Sequence, residues 1–295
     1  MDSLLIELTD KCNLNCSYCF KRERDKHKEK IKVVYENDFS NLVEIAKDSS
    51  IKKVTLSGGE PLLYKNFEGV VQLLSDKELV LLTNGIEKIE NRDILEKLNI
   101  VVSLDGNYDI MNKHRGIDKA DFFKIIQNIR WYIEYAKTTS INTVITSYNL
   151  NEKEYFPFEL FKEKSFYRFS APSVAFTPPD LCLPVSRYGD VKKVIETYLE
   201  KYNYHVPASI NVVNKRYVKD NLADIVENIA IPEFHLSDNR FYVFNRQFRT
   251  LQEIRKNIGD IQHDIKNLLL EYLENPDCPT LIEPYSYIEN ILYNV

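Results

Sequence analysis

Close to its amino terminus the chain reads LLIELTDKCNLNCSYC, from Leu4 to Cys19. The first five residues of this stretch are mostly apolar, which predicts a buried β-strand. Cysteines then follow at positions 12, 16 and 19. Ligands of α/β proteins bind at the carboxyl ends of parallel strands. The stretch therefore predicts a functional cysteine loop at the end of the first strand.

The spacing of the three cysteines suits an iron–sulfur cluster. Three thiolates on one short loop can hold three irons of a cubic cluster and leave the fourth iron to a ligand that is not protein. Structural zinc is the alternative, because His27 lies near enough in sequence to act as a fourth ligand. Five cysteines in 295 residues are too sparse and odd in number for a disulfide framework. The cluster and the zinc interpretation both stay open on the cysteines alone.

Further motifs follow the cysteines in a fixed order. They are Gly-Gly-Glu within Val54–Leu62, Thr-Asn-Gly within Leu81–Gly85, Ser-Leu-Asp-Gly within Val102–Gly106, and His114-Arg115-Gly116. Together with the pattern Cys-x3-Cys-x-aromatic-Cys, these motifs resemble the radical S-adenosylmethionine (SAM) superfamily. The resemblance covers about half of the chain, residues 3–149.

The resemblance implies cofactors and a reaction. It implies a [4Fe–4S] cluster held by Cys12, Cys16 and Cys19, with SAM bound to the free iron. One electron, delivered by a donor such as flavodoxin or ferredoxin, would cleave SAM, and the resulting radical would abstract a hydrogen atom from the substrate. The residues that it implies as SAM contacts are Tyr18, Gly58, Gly59, Glu60, Asn84, Ser103, Asp105 and Arg115.

Each of these residue types suits a different part of SAM. The aromatic face of Tyr18 would pack near the adenine. Gly58, Gly59 and Glu60 would face the methionine end, because carbonyl and carboxylate oxygens accept hydrogen bonds from an ammonium group. Arg115 is the cation expected to pair with the methionyl carboxylate.

Three polar residues lie at the ends of predicted strands. Ser103 and Asp105 would bond the ribose or the methionyl carboxylate, and Asn84 the ribose or the substrate. A structural role as a turn, a helix cap or an ion pair is the alternative for Asn84, Asp105 and Arg115.

Short apolar strands alternate with amphipathic helices, which indicates an α/β protein with a parallel sheet. The predicted strands are Leu4–Leu8, Lys53–Leu56, Leu79–Thr83, Ile100–Leu104, Ile141–Thr146 and Tyr167–Ala171. The predicted helices between them include Asp38–Lys47, Phe67–Ser75, Arg92–Leu98 and Phe122–Tyr135. Six such units predict a partial (β/α)6 barrel, which is also the fold that the resemblance implies.

The pattern changes towards the carboxyl terminus. We predict two domains, the radical SAM core at 1–186 and an α-rich extension at 187–295 that binds substrate or a partner. The extension is predicted to contain helices Val191–Tyr202, Val218–Ile229 and Leu251–Leu273 and a strand-like run, Asn239–Phe244.

Composition excludes several classes of protein. A net charge of −5 argues against a nucleic-acid binder, which would be basic. The chain has no apolar run long enough to span a bilayer, and it enters a strand too early for a signal peptide. We therefore expect a cytoplasmic protein without a membrane partner.

The substrate expected from the motifs is a ribosomally synthesised peptide, to be crosslinked or epimerised. The alternatives are a small molecule such as a sugar or nucleoside, activation of a glycyl-radical enzyme, or a non-catalytic metal-binding role. After Cys19 the chain has only Cys182 and Cys278, too few for the cysteine-rich auxiliary-cluster domain of many peptide-modifying members. Either thiol could donate a hydrogen atom in an epimerisation, although free cysteine is more commonly an inert buried residue.

Overall fold

The computed structural model describes residues 2–19, 40–150, 165–170, 219, 222–229, 232–237, 239–243 and 246–274. Cys182, Cys278, His27 and the predicted helix Val191–Tyr202 lie outside the described residues. The described strands are β1 Ser3–Glu7, β2 Lys53–Ser57, β3 Glu78–Thr83, β4 Leu98–Ser103, β5 Thr138–Val144, β6 Ser165–Ser170, β7 Glu233–His235, β8 Arg240–Val243 and β9 Arg246–Phe248. Together they form one sheet in the order β6-β5-β4-β3-β2-β1-β7-β8-β9.

The first six strands confirm the predicted α/β architecture. They run parallel and in sequence order from β1 to β6, as a partial (β/α) barrel requires. Strand β5 lies earlier in the chain than the predicted Ile141–Thr146. It ends at Val144 because the backbone N–H of Thr146 turns away to the side chain of Asn149, at 2.8 Å.

Side chains of the parallel strands alternate between two faces of the sheet. Leu4 and Ile6 of β1 are buried in the hydrophobic core, where Leu42 of the first helix and Val70 of the second also pack. Successive residues of a strand point to opposite faces, so Glu7 lies on the other face. We call this second face, with Leu5, Glu7, Thr55, Ser57 and Ser103, the inner face.

The helices that cover the core face begin close to the predicted positions. The described helices are α1 Ser40–Lys47, α2 Phe67–Leu73, α3 Arg92–Leu95, α4 Tyr108–Arg115, α5 Lys119–Tyr135, α6 Leu222–Ile229 and α7 Leu251–Glu274. The predicted helix Arg92–Leu98 ends three residues early because Leu98 pairs with Leu79 and starts β4.

Helix α4 was missed by the sequence patterns, although its end signals are present in the sequence. The side chain of Asn107 accepts a hydrogen bond from the N–H of Ile110 at its start, and Gly116 ends it at φ 69°. Both are standard helix-end signals. Only two turns long, α4 carries too few apolar residues for a clear period.

The carboxyl-terminal part of the chain extends the same sheet. Strand β7 pairs in parallel with β1, and β8 and β9 continue as antiparallel neighbours. Only the β8 region was predicted to be strand-like. The sheet is therefore continuous across the predicted boundary at 186/187, and the division into two domains stays a prediction.

None of the helices within the described ranges combines the length and the hydropathy that a bilayer crossing needs.

Candidate functional site

The cysteine loop directly follows β1, as predicted. Cys12 is exposed, while Cys16 and Cys19 are partly buried. The Sγ atom of Cys12 accepts a hydrogen bond from the N–H of Leu14 at 3.4 Å, and the N–H of Cys19 donates to the carbonyl of Cys16 at 3.3 Å. The loop is thus a compact turn, and none of its three cysteines forms a disulfide.

The surroundings of two of these thiols disfavour the free thiolate, so a bound cation would stabilise it. Burial raises the pKa of the Cys16 thiol, and the negative charges of Asp105, Cys19 and Cys12 raise it further, against the opposing effect of Arg115. Burial also raises the pKa of Cys12, with contributions from Glu60 and Cys19. Bound iron supplies positive charge that stabilises thiolates, so three cysteines on one loop are a donor set that fits an iron–sulfur cluster.

The Gly-Gly-Glu segment holds the cysteine loop against the end of β2. The N–H of Gly59 donates to the carbonyl of Thr9 at 2.7 Å, and the N–H of Glu60 donates to the carbonyl of Lys11 at 2.8 Å. The backbones approach so closely that an added Cβ at Gly58 would lie 2.5 Å from the Thr9 carbonyl oxygen. At Gly59 the distance to the Lys11 carbonyl oxygen would be 2.3 Å. Both positions therefore require glycine.

The Glu60 side chain joins this segment to the end of β3. Its Oε1 accepts hydrogen bonds from Thr83 Oγ1 at 2.8 Å and the Leu62 N–H at 3.2 Å, and its Oε2 accepts one from the Asn84 N–H at 2.7 Å. Burial raises the pKa of Glu60 to about 7, because it outweighs these hydrogen bonds. The carboxyl group is therefore close to half ionised near neutral pH.

Asn84 connects β3 to the cysteine loop. Its Nδ2 donates to Asn13 Oδ1 at 2.7 Å, and its Oδ1 accepts from the Ile86 N–H at 3.0 Å. Asn13 lies directly after Cys12, so this contact and the Gly-Gly-Glu hydrogen bonds support the same end of the loop.

A second buried group, Asp105 with Arg115 and Tyr18, supports the other end of the loop. Arg115 donates from Nε to Asp105 Oδ2 at 2.8 Å and from Nη2 to Oδ1 at 3.0 Å. The Tyr18 hydroxyl donates to Oδ2 of the same carboxylate, and the Val144 N–H donates to Oδ1 at 3.0 Å. Asp105 is fully buried, so its charge is balanced inside the protein.

The charges of this group stabilise one another. Burial raises the pKa of Asp105, but the charge of Arg115, the nearby His114 ring and the hydrogen bonds from Arg115 and Tyr18 outweigh it, so the net pKa lies well below its usual value. Burial lowers the pKa of Arg115, but the Asp105 carboxylate more than offsets this and raises it. Burial raises the pKa of Tyr18, so its hydroxyl stays protonated and can donate to Asp105.

His114 contacts the cysteine loop, although the sequence motifs predicted no site role for it. Its carbonyl accepts hydrogen bonds from the Ser17 N–H at 2.8 Å and Ser17 Oγ at 3.1 Å. Its buried ring lies edge-on to Tyr18, with centroids 5.6 Å apart, and its Nε2 contacts Thr146 Oγ1 at 3.2 Å. The one indication in the sequence was the position of His114 beside Arg115 in the last motif. Its contact with Ser17 is made by the backbone carbonyl, which every residue type has, so the sequence could not predict it.

The structure brings the predicted SAM contacts together in two groups. Glu60 and Asn84 share hydrogen bonds near Cys12, whereas Tyr18, Asp105 and Arg115 contact one another near Cys16. Ser103 stands apart from both groups, half-buried on the inner face, where it pairs in register with Asn142.

Comparison with protein families agrees with the motifs. The profile described as "Radical SAM superfamily" matches residues 6–156, half of the chain. The chain belongs to the radical SAM superfamily. This membership indicates an enzyme whose cofactors are SAM and a [4Fe–4S] cluster, and it leaves the zinc and the non-catalytic interpretations without support.

The chain is also similar to curated radical SAM proteins over its first half. A GTP 3′,8-cyclase of Clostridium perfringens (strain SM101 / Type A) is 34% identical over 158 residues, which cover 49% of this chain and 47% of the relative. The molybdenum cofactor biosynthesis protein moc-5 of Caenorhabditis elegans is 33% identical over 162 residues, 51% of this chain and 26% of the relative. The chain spans about half or less of these relatives. Their names match the small-molecule alternative rather than peptide modification.

Solved structures resemble the fold over a longer stretch. Streptococcus suis SuiB bound to S-adenosylmethionine superposes with a TM-score of 0.70 at 15% identity, covering 90% of this chain and 68% of SuiB. Native anSMEcpe with bound AdoMet gives a TM-score of 0.65 at 19% identity, covering 99% of this chain and 96% of that chain. At these identities the likeness establishes the fold.

Proposed function

We propose that this radical SAM enzyme abstracts a hydrogen atom from a small polar substrate of the sugar or nucleoside class. The observation that carries the radical chemistry in this proposal is the support of the cysteine loop at both ends. Gly59 and Glu60 hold the residues before Cys12, and Asp105 and His114 hold Tyr18 and Ser17 after Cys16. A loop held in this way keeps its thiols in one arrangement, as a cluster site needs.

The cysteines are proposed to hold the cluster. Cys12, Cys16 and Cys19 would ligate three irons, and the bound cluster supplies the electron that cleaves the sulfonium bond of SAM and so yields the hydrogen-abstracting radical. The buried supports keep water away from the loop on the core side, because Glu60, Asp105 and Arg115 are all almost fully buried.

The SAM contacts are proposed on the remaining hydrogen-bonding capacity of the same residues. Asp105 takes two of the five N–H donors of Arg115, so the others can pair with the methionyl carboxylate. Oε2 of Glu60 accepts one hydrogen bond within the protein, and its second lone pair can receive the ammonium group. Gly58 and Gly59 would line the methionine end with backbone atoms, Tyr18 would pack near the adenine, and Asn84 and Ser103 would contact the ribose or substrate.

The substrate class is supported by the curated relatives. The name of the cyclase specifies a nucleotide, GTP, and the inner face presents polar side chains that can bond a sugar or a phosphate. Those side chains are Thr55, Ser57, Ser103 and Asn142. The similarity covers the cofactor-binding half, so the proposal names the class and not GTP itself.

A peptide substrate is the second candidate, with its own support. The solved neighbours that extend over most of the chain include SuiB bound to precursor peptide SuiA and anSMEcpe bound to a peptide.

The test begins with the cofactor and then separates the substrates. Anaerobically reconstituted protein is reduced with dithionite and given SAM, and formation of 5′-deoxyadenosine is measured. Cys16→Ala should lose both the cluster absorbance and the cleavage, whereas Cys182→Ser should retain them. No 5′-deoxyadenosine from iron-loaded wild-type protein would refute the proposed reaction.

Nucleosides, nucleotides and sugars are then compared with peptides as additions to the same assay. We expect a small molecule to increase the rate of 5′-deoxyadenosine formation and to change mass. Modification confined to peptides would establish the second candidate and refute the first.

A further inference from the structure

A compact group of ligating side chains lies on the inner face, separate from the cysteine loop. It consists of Glu7, Glu233 and His235, which we call the Glu–His cluster. One ligand atom from each of the three residues lies within 4.8 Å of the other two. The side chains of Glu7 and His235 are 6% and 5% exposed, and that of Glu233 is 26% exposed.

Strand register explains why these residues meet. Glu7 is the last residue of β1 and pairs with His235 of β7, so the two side chains stand next to each other on one face. Glu233 lies two residues before His235 and therefore points to the same face. On the other side of β1, Glu7 pairs with Ser57, directly before the Gly-Gly-Glu segment.

The distances within the cluster match the spacing of two ligands on one metal ion, and the contact between His235 and Glu233 is also within hydrogen-bond range. His235 Nε2 lies 3.4 Å from Glu7 Oε2 and 3.3 Å from Glu233 Oε2. A charge-assisted hydrogen bond would bring one of these pairs to about 2.7–2.9 Å. Tetrahedral ligation with bonds of about 2.0–2.1 Å separates ligand atoms by about 3.3–3.4 Å.

Charge and ring packing also favour a metal ion at the Glu–His cluster. Two carboxylates at one buried site favour a cation between them, and a divalent metal ion is such a cation. The His235 ring packs on the Tyr242 ring at 4.3 Å between centroids, and such outer contacts fix the orientation of a ligating histidine. Glu7 and Glu233 have further interactions, as ligating carboxylates commonly do.

We propose that Glu7, Glu233 and His235 bind one divalent transition-metal ion, with Zn²⁺ as the best match to a nitrogen and two oxygens in tetrahedral spacing. Glu233 is the most exposed ligand, so the fourth position opens to the inner face beside it. An oxygen atom of the substrate, from a phosphate, carboxylate or hydroxyl group, is the ligand for that position.

Arg240 is the charged group that competes with this proposal. It pairs in register with His235 and stands on the same face of β8, so its guanidinium could balance the carboxylates without a metal ion. The experiment therefore measures metal directly and keeps the cysteine thiols out of the measurement.

Cobalt(II) and zinc are the probes for the full-length chain in which all five cysteines are replaced by alanine. We expect one zinc per chain by elemental analysis, and bound Co²⁺ with visible bands but no sulfur-to-metal charge transfer. Glu233→Gln and His235→Asn in the same background should weaken zinc binding by at least about tenfold. Glu227→Gln and His263→Asn, at exposed positions of α6 and α7, should not.

The outcomes decide the proposal independently of the proposed function. Absence of bound zinc, a sulfur-to-cobalt band, or retention of zinc by both Glu–His cluster variants would overturn the proposed metal site and leave Arg240 as the balancing charge. If Glu233→Gln does not fold, the cobalt spectrum of the cysteine-free chain with Glu7, Glu233 and His235 unchanged still decides between a nitrogen–oxygen site and no site. None of these results bears on SAM cleavage by the reconstituted wild-type chain, which tests the proposed function separately.

Discussion

Glu60 accepts three hydrogen bonds from Thr83, Leu62 and Asn84 while being 1% exposed. Burial raises its pKa from 4.5 to about 7. Between these two values the folded protein holds a proton on Glu60 that the unfolded chain has released. The contribution of Glu60 to stability is therefore complete below pH 4.5 and is lost as the pH rises through about 7.

Glu60→Gln should remove this pH dependence, because an amide does not titrate. The difference in unfolding free energy between wild type and variant should shrink by roughly 3 kcal/mol as the pH rises through this window. The amide also presents an N–H to the Asn84 N–H, which adds a pH-independent loss of about 1–3 kcal/mol. Denaturant unfolding at several pH values measures both effects. Parallel stability curves for the two proteins would show that Glu60 keeps its ordinary pKa.

Asp105 is the residue whose charge organises the second support of the cysteine loop. Asp105→Asn leaves Arg115 buried without its charged partner, and loss of one member of a buried pair destabilises by about 3–5 kcal/mol. The expected result is a loss of this size in the unfolding free energy. As a control, Glu90→Gln breaks the pair with Lys88, in which Glu90 is 73% exposed, and should change stability by less than about 1 kcal/mol. Equal effects of the two substitutions would contradict the buried ion pair.

At the scale of elements, the turn after β2 and the loop after β1 form one unit. Their backbones touch through the hydrogen bonds of Gly59 and Glu60 to Thr9 and Lys11. Side chains would separate the two backbones, because a Cβ at Gly58 or Gly59 would overlap a carbonyl oxygen of the loop. The Gly58-Gly59 pair therefore lets the two backbones approach more closely than residues with side chains would allow.

Gly59→Ala should displace the cysteine loop from β2. An added Cβ 2.3 Å from the Lys11 carbonyl oxygen forces the backbones apart, so we expect loss of the cluster absorbance and at least about a tenfold loss of SAM cleavage. Iron content and 5′-deoxyadenosine formation are the measurements.

Gly259→Ala is the matched control, since nothing lies within 4 Å of its added Cβ in α7. Alanine favours a helix over glycine by about 1 kcal/mol, so this variant should keep its iron and gain stability. Full iron loading of Gly59→Ala would show that the loop tolerates separation from β2.

At the scale of the whole molecule, the carboxyl-terminal strands and the cysteine loop depend on the same β1. The Leu5 N–H donates to the carbonyl of Pro232, and the Leu236 N–H donates to the carbonyl of Glu7, both at 2.9 Å. Phe234, between these hydrogen bonds, is fully buried and packs on Phe241 at 4.8 Å between ring centroids. Unfolding of β7 would therefore remove a neighbour from the strand that leads to the cluster site.

Phe234→Ala should destabilise the whole molecule in one transition. Truncation of a buried phenylalanine costs about 3–5 kcal/mol, and we expect circular dichroism and cluster absorbance to shift together. Phe123→Ala, at a side chain 63% exposed, should change stability by no more than about 0.5 kcal/mol. Two separate transitions, of which only one moves, would instead support independent units on either side of residue 187.

The sequence alone was sufficient for the superfamily, the parallel strands β1–β6 and the cysteine loop. These depend on local features, namely apolar periodicity and the order of short motifs, which a linear sequence carries directly. The end of β5 and the short helix α4 were less predictable, because Asn149 and Asn107 set their limits through single hydrogen bonds.

Tertiary structure alone decided which polar residues meet. Asp105 takes its partners Tyr18 and Val144 from distant parts of the chain, and Glu7 meets His235 only because β7 pairs with β1 in one particular register. A shift of one residue in that register would turn His235 to the opposite face. Such contacts depend on strand pairing across more than two hundred residues, so no local pattern in the sequence could specify them.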